Sequence, residues 1–462
     1  MMYKSETIAA ISTAPGEAGI GIVRMSGDQA FPIVDKLFIS SSAKTFTELK
    51  NRSINHGYII DPKTNNKIDE VLVSKMMAPN TYTKEDIVEI NCHGGTLVVK
   101  RILELLLRNG ASLAEPGEFT KRAFLNGRMD LSQAEAVIDL ITAKTNKGMD
   151  LAFHQLEGKL SIKINEVRDK LLNMLAHIEA SIDYPEYDIE EITYDNLLKQ
   201  SQEVKKEIDS LLDTADTGKI LREGLNTVII GKPNVGKSSL LNALLREGRA
   251  IVTDVPGTTR DIIEDYINIR GIPLKLIDTA GIRETEDIIE RIGVEKSKEL
   301  MEKADLILFI LDISTPLSKE DKMLIELLKD KKAIVLFNKT DLKAKWSIGE
   351  LKSYFKGKTI IEISALKGQG LEKLEDEIYQ MVYGGQVSAG DTGLVSNIRH
   401  KNLLERALES VNITIETIKE ALPLELISID LKDCWDLLGQ ITGDTIEEDI
   451  IDQIFANFCI GK

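Results

Sequence analysis

Hydrophobic and polar positions change rhythm three times along this chain, and each change marks a different kind of element. Over residues 1 to about 120, short β-rich runs alternate with turns, as in Gly21-Ile-Val-Arg24, Glu70-Val-Leu-Val-Ser-Lys-Met76 and Asp86-Ile-Val-Glu-Ile-Asn-Cys92. One helix-like stretch follows from Leu97 to Leu107, which makes this part an α+β domain. From Leu131 the apolar spacing becomes helical and continues through Ile182 with little Pro or Gly, and Ser132-Gln-Ala-Glu135 has the form of a capping box at its start. A second helical segment is expected from about Thr193 to Ala215.

Glycines Gly218 and Gly224 then bracket the passage into a third pattern. Leu225-Asn-Thr-Val-Ile-Ile230 reads as a buried strand, Lys237 opens a helix, and Leu274-Lys-Leu-Ile277 reads as another strand. After Tyr383 the run Gly384-Gly-Gln-Val-Ser-Ala-Gly-Asp-Thr-Gly393 reads as a loop, and helical patterns resume from Asn397 to Phe458. The simplest architecture is a helical domain built from both sides of an inserted α/β domain, since insertion favours exposed loops with neighbouring ends. The expected boundaries are 1–122 for the N-terminal domain, 123–219 with 383–462 for the helical domain, and 220–382 for the insert.

Within that insert lie four guanine-nucleotide motifs in order: Gly231-Lys-Pro-Asn-Val-Gly-Lys-Ser238, Gly257-Thr-Thr-Arg260, Asp278-Thr-Ala-Gly281 and Asn338-Lys-Thr-Asp341, with Ser364-Ala365 after them. A single phosphate-loop match is weak; the ordered set implies an α/β P-loop domain that binds and hydrolyses GTP. Backbone N–H groups between Gly231 and Lys237 would cradle the phosphates at a helix N-terminus. Lys237 would reach the β/γ-phosphates and Ser238 would ligate Mg²⁺. Thr258 or Thr259 would complete the Mg²⁺ shell, Asp278 would hold the metal through water, and Gly281 would offer an N–H to the γ-phosphate. Asn338 and Asp341 would select guanine. Where Ras-like enzymes place a water-orienting Gln, this chain has Ile282, so either the intrinsic rate is very low or another group does that work. Arg283, Glu284, Glu286 and Glu290 are the polar residues nearby.

Bulk properties narrow the remaining classes. The chain has 462 residues, which suggests two to four domains, and its net charge of −16 argues against a broadly basic nucleic-acid-binding surface. Only three cysteines, Cys92, Cys434 and Cys459, are scattered along it, as expected in a reducing compartment. No apolar run approaches membrane-spanning length, and Met1-Met-Tyr-Lys-Ser-Glu lacks the layout of a signal peptide. His93 has no Cys/His partner at metal-ligand spacing, so a structural zinc site is not expected.

The whole chain closely resembles the MnmE (TrmE) family of bacterial tRNA-modification GTPases. The resemblance rests on Thr7-Ile-Ala-Ala-Ile-Ser-Thr-Ala-Pro-Gly16, Gly19-Ile-Gly-Ile-Val-Arg24, Tyr82-Thr-Lys-Glu-Asp86, Pro116-Gly-Glu-Phe-Thr-Lys-Arg-Ala-Phe-Leu-Asn-Gly-Arg128, Asp130-Leu-Ser-Gln-Ala-Glu-Ala136 and the terminal Cys459-Ile-Gly-Lys462. It implies a cytoplasmic homodimer joined through N-terminal domains. It also implies a partnership with the FAD-dependent protein MnmG, installing an aminomethyl-type group on C5 of the wobble uridine of certain tRNAs. By position, Asn234, Thr253, Val255 and Thr258 would ligate an activating K⁺, Thr259 would take the Mg²⁺ role, and Glu290 would orient the attacking water. The implied GTP-binding set is Asn234, Val235, Gly236, Lys237, Ser238, Ser239, the run Thr253, Asp254, Val255, Pro256, Gly257, Thr258 and Thr259, then Asp278, Thr279, Ala280 and Gly281, with Asn338, Lys339, Asp341, Ser364 and Ala365. The N-terminal fold would resemble tetrahydrofolate-binding domains, with Arg24, Glu85, Arg128 and Lys462 contacting 5-formyltetrahydrofolate or a related folate. Cys459 reads either as a buried hydrophobe or as a reactive thiol. A ribosome-assembly GTPase of the Era or Der type, or a nucleotide-switched scaffold, are the alternative readings.

Overall fold

The structure of the protein is a computed structural model, which describes residues 6–183, 194–246, 250–251, 266–277, 293–345, 348–384 and 395–462. Among these the N-terminal runs form strands β1 (Ile8–Ile11), β2 (Ala18–Ser26), β3 (Phe38–Ser40), β4 (Ser53–Ile60), β5 (Lys67–Met76), β6 (Ile87–Gly94) and β7 (Ser112–Leu113). They make one sheet in the order β3-β4-β5-β6-β2-β1-β7, antiparallel except where β7 runs parallel to β1. Alternation gives the sheet its core face: Val23, Met25, Val71, Val73, Val88 and Ile90 point inward. The helices Ala30–Leu37 and Thr96–Arg108 cover that face with Val34, Leu37, Ile102 and Leu106.

Three helices replace the single helical stretch that the apolar spacing suggests: Leu131–Thr142, Asn146–Leu156 and Lys159–Asp183. Thr145 caps the second by accepting from the Gly148 N–H at 3.1 Å, and Gly158 at φ +83° makes the second break. The expected capping box is corrected by the structure. Asp130, not Ser132, caps the first helix and exchanges bonds with Gln133, while Ser132 Oγ donates to Asp130. Asp130 has the backbone of a cap residue; Ser132 already lies inside the helix. The segment expected from Thr193 to Ala215 is the helix Tyr194–Leu212, and a further helix, Ala215–Glu223, follows it.

The inserted domain is a second sheet. Its strands are β8 (Leu225–Ile230), β9 (Ala250–Ile251), β10 (Tyr266–Ile269), β11 (Ile272–Leu276), β12 (Leu306–Asp312), β13 (Ala333–Asn338) and β14 (Thr359–Glu362), in the order β14-β13-β12-β8-β11-β10-β9. From β14 to β11 the strands are parallel, and β12 is buried at every position, as helix-covered parallel strands are.

The two junctions of the insert meet. A Cβ on Gly218 would lie 2.0 Å from the Val395 carbonyl oxygen, so only glycine lets the outgoing helix touch the returning chain there. Beside it, Thr217 Oγ1 donates to the Val382 carbonyl at 3.2 Å. The helical core then draws from both sides: Leu160, Ile164, Leu171, Val204 and Ile208 pack with Leu404, Val411, Ile427, Leu431 and Leu438. The seam is sealed by a buried ion cluster. Glu135 accepts from Asn397 Nδ2 at 3.0 Å, from Arg399 Nε and Nη2 at 3.0 and 2.8 Å, and pairs with His400 Nε2 at 2.7 Å. Burial alone would raise the Glu135 pKa, but His400 and Arg399 overcome it and hold the group at about 2. Among the described residues no helix is long and apolar enough to cross a membrane.

Candidate nucleotide and small-molecule sites

β8 delivers residues 231–236 to the start of the Lys237–Arg246 helix, the strand–loop–helix context that a phosphate loop requires. The loop backbone is held in left-handed conformations at Asn234 (φ +63°) and Gly236 (φ +103°). A Cβ on Gly236 would stand 2.3 Å from Asn338 Nδ2, so this position must be glycine for the loop to approach β13. Asn338 closes the contact by donating Nδ2 to the Val235 carbonyl at 2.7 Å, and its Oδ1 accepts from the Ala365 N–H at 3.0 Å. Lys339 donates to the Asn234 carbonyl at 2.8 Å and pairs with Asp312 at 2.7 Å. Asn338 and Lys339 therefore bind the phosphate loop to the guanine motif.

Asp341 lies at the edge of this cluster, where its Oδ1 accepts from Ser364 Oγ at 2.6 Å. That bond holds the Asp341 carboxyl below the usual range, keeping it an anion able to accept from a guanine edge. Lys237 donates to the carbonyls of Gly231 and Lys232 at 2.7 and 2.9 Å, and burial pushes its ammonium below the ordinary lysine value. Ser238 and Ser239 are exposed at the helix start. The structure brings Asn234 through Ser239 together with Asn338, Lys339, Asp341, Ser364 and Ala365. Thr253, Asp254, Val255, Pro256, Gly257, Thr258, Thr259, Asp278, Thr279, Ala280, Gly281, Ile282 and Glu290 lie outside the described residues.

A second site sits between the N-terminal sheet and the first helix of the helical part. A cavity of about 410 Å³ is lined by Arg24, Tyr82, Arg128, Met129, Gln133, Val137, Leu140, Ile141, Leu156 and Lys462. Arg24, on β2, pairs with Glu89 at 2.7 Å and lies 5.7 Å from the centroids of Tyr82 and Phe119. Arg128 stacks 4.6 Å from the same Tyr82 ring and donates to the Tyr82 carbonyl at 3.1 Å. Glu85 is not in this wall. Its carboxylate accepts from Arg122 at 3.1 Å and from Ser26 Oγ at 2.7 Å, which anchors the turn carrying Tyr82.

Lys462 reaches the cavity because the tail docks on the N-terminal part of its own chain. Ile460 makes a β-bridge to Pro116, Gly117 donates to the Cys459 carbonyl at 3.3 Å, and Ser12 Oγ donates to the Gly461 carbonyl at 3.1 Å. A Cβ on Gly461 would lie 2.2 Å from the Ile11 carbonyl, so glycine is what permits the approach. Cys459 is exposed there, whereas Cys92 and Cys434 are buried with thiols pushed up by burial to about 11 and about 12. Sequence reasoning missed the wall residues Tyr82 and Gln133. A Tyr between two motif arginines was the available signal for the first; the second carried none.

Comparison with known proteins places the chain in a family. Residues 7–128 match the family described as GTP-binding protein TrmE N-terminus, and residues 131–459 match the MnmE helical domain. The chain is 62% identical over 461 residues to the tRNA modification GTPase MnmE of Alkaliphilus oremlandii, covering all of both chains. It is 52% identical over 458 residues to the protein of the same name from Bacillus subtilis, covering 99% of this chain and 100% of that one. Among solved structures, the G domain of the T. maritima FeoB iron transporter is 27% identical and aligns with 34% of this chain and 97% of its own, at a TM-score of 0.25. Full-length identity at this level, with both family matches, establishes that the chain belongs to the MnmE family of tRNA modification GTPases.

Proposed function

We propose that this GTPase is activated by potassium and acts with an MnmG-like FAD-dependent protein on tRNA, as a homodimer. Together they would add a carboxymethylaminomethyl or aminomethyl group to C5 of the wobble uridine. The observation that carries the reading is the convergence of Arg24, Arg128 and Lys462 on one cavity, in a chain that also holds a guanine site.

The cavity's chemistry suits a folate. Its volume lies within the range of small-molecule pockets, about 300–1,000 Å³. Val137, Leu140, Ile141 and Leu156 offer an apolar wall, Tyr82 an aromatic face, and the two arginines with Lys462 a cationic end for a carboxylate. A folate bound there would carry a one-carbon unit. Arg24 and Arg128 would orient it, and the docked tail would screen it from water. Glu85 would act through the turn that carries Tyr82.

At the nucleotide site, Lys237 would exchange its loop carbonyls for the β/γ-phosphates. Ser238 and Thr259 would hold Mg²⁺, and Asn234, Thr253, Val255 and Thr258 would hold K⁺. Those cations would neutralise charge that builds between the phosphates during transfer. The exposed Asn234, at a positive φ on the loop rim, is suited to that duty. Glu290 would orient the attacking water in place of the residue that Ile282 cannot supply. For the three parts we propose the boundaries 1–122, 123–219 with 383–462, and 220–382, and a cytoplasmic location.

Calorimetry with 5-formyltetrahydrofolate tests the cavity. Binding to the wild-type chain should weaken by at least about tenfold in Arg128→Ala, the loss expected when a charged hydrogen-bonding group is removed. Equal affinity in both proteins would remove folate from the account.

A further inference from the structure

An ion pair ties the second residue of the phosphate loop to Asp321, which lies outside the nucleotide motifs. Lys232, the second residue of the loop, pairs through its ammonium with Asp321 Oδ2 at 2.9 Å. Its Nζ also donates to Thr315 Oγ1 at 3.4 Å, on the segment that follows β12. Asp321 begins the Lys319–Leu327 helix as the third residue of a capping box, where Ser318 N and Oγ donate to the same Oδ2 at 2.8 and 2.9 Å.

Burial makes this pair unusual. Asp321 is 0% exposed, and its second oxygen, Oδ1, has no hydrogen-bond partner among the described residues. A carboxylate this deep is unfavourable unless a cation accompanies it, and the cation here belongs to the phosphate loop. Helix capping alone does not require that depth or that partner, because an exposed Asp caps as well. The backbone carbonyl of Lys232 meanwhile accepts from Lys237 at 2.9 Å. One residue thus bonds outward to Asp321 through its side chain and inward to the lysine that serves the phosphates through its main chain.

We propose that Asp321 is a positioning residue for GTP binding: through Lys232 it holds the start of the phosphate loop in the shape that receives the β-phosphate. Such a contact serves GDP, GTP and the transition state alike, so its loss weakens binding uniformly rather than slowing the chemical step. The inference rests on the nucleotide site alone and does not depend on potassium or folate.

The test uses the full chain and compares Asp321→Asn, Lys232→Arg and Lys232→Gln. Asp321→Asn keeps an oxygen acceptor for Ser318 and removes the charge. It should raise the GTP KM and the GDP Kd by the same factor, about tenfold, with kcat changed less than about threefold. Lys232→Arg, which keeps the cation, should bind GDP nearly as well as wild type. Lys232→Gln should match the Asp321→Asn loss, and combining the two should cost no more than either alone. If Asp321→Asn does not fold, Lys232→Gln carries the test, because it leaves the cap bonds in place. Unchanged GDP affinity in a folded variant would overturn the proposal, as would additive losses in the double variant or a fall in kcat at constant KM.

Discussion

Ser12 and Gly461 are separated by 449 positions, yet the Ser12 hydroxyl donates to the Gly461 carbonyl at 3.1 Å. Arg24 Nη1 reaches the same carbonyl at 3.5 Å, so one backbone oxygen joins the tail to a cavity arginine. The tail is thereby part of the cavity wall. Removing residues 459–462 takes away Lys462 and the carbonyl that Arg24 contacts, and should weaken folate binding by at least about tenfold. Calorimetry on the truncated and full chains measures this. Equal affinity would strike Lys462 from the site.

Under the proposed reading, Asn234 on the phosphate loop is one of the ligands of an activating K⁺. Potassium should raise kcat by at least about tenfold over sodium, a modest share of what an arginine finger supplies. Asn234→Ala should abolish the difference while leaving GDP binding largely intact. A mutant that still distinguishes the two ions would move the cation elsewhere.

Asp341, ionised and held by Ser364, makes the base preference testable. An amide at this position donates where the carboxylate accepts. Asp341→Asn should therefore lose at least about tenfold in GTP affinity and gain affinity for xanthosine triphosphate, whose O2 can accept. Competition between the two nucleotides decides it, and an unchanged preference for guanine would contradict the assignment.

The Glu135 cluster links the chain on either side of the insert and sets an acid limit on stability. Its pKa falls from an ordinary 4.5 to about 2 in the folded protein. A depressed carboxylate contributes stability fully above its unfolded pKa, and that contribution drains as pH falls from about 4.5 toward 2. Glu135→Gln leaves Arg399 and His400 without their anion and should destabilise the protein at pH 7 by about 3–5 kcal/mol. In urea denaturation the variant should lose the part of the wild-type acid sensitivity that lies in this window. A loss under about 1 kcal/mol would show that the cluster is replaceable.

Much of this was legible in the residues. The alternating strands, the helical spacing and the four nucleotide motifs each depend on local periodicity or short spacing, and the sheets and the phosphate loop appeared where those patterns put them. What escaped were relationships set by distant parts of the chain. Glu135 reads locally as a cap residue, because the Arg and His that pair with it come from positions 399 and 400. The helix Ala215–Glu223 was hidden by Gly218, a poor helix former that the close approach of Val395 demands. Glu85 looked equivalent to Arg24 and Arg128, but its carboxylate is taken up by Arg122, which sequence spacing gave no reason to single out.

The central proposal is that GTP turnover by this chain is required to modify C5 of wobble uridine. Mass spectrometry of nucleosides from total tRNA tests it, in cells lacking the gene and in the same cells carrying the wild-type chain or Asp341→Asn. The account predicts that the aminomethyl-type uridines disappear with the gene, return with the wild-type chain and stay depleted with Asp341→Asn. The same level of those nucleosides with and without the chain would contradict it.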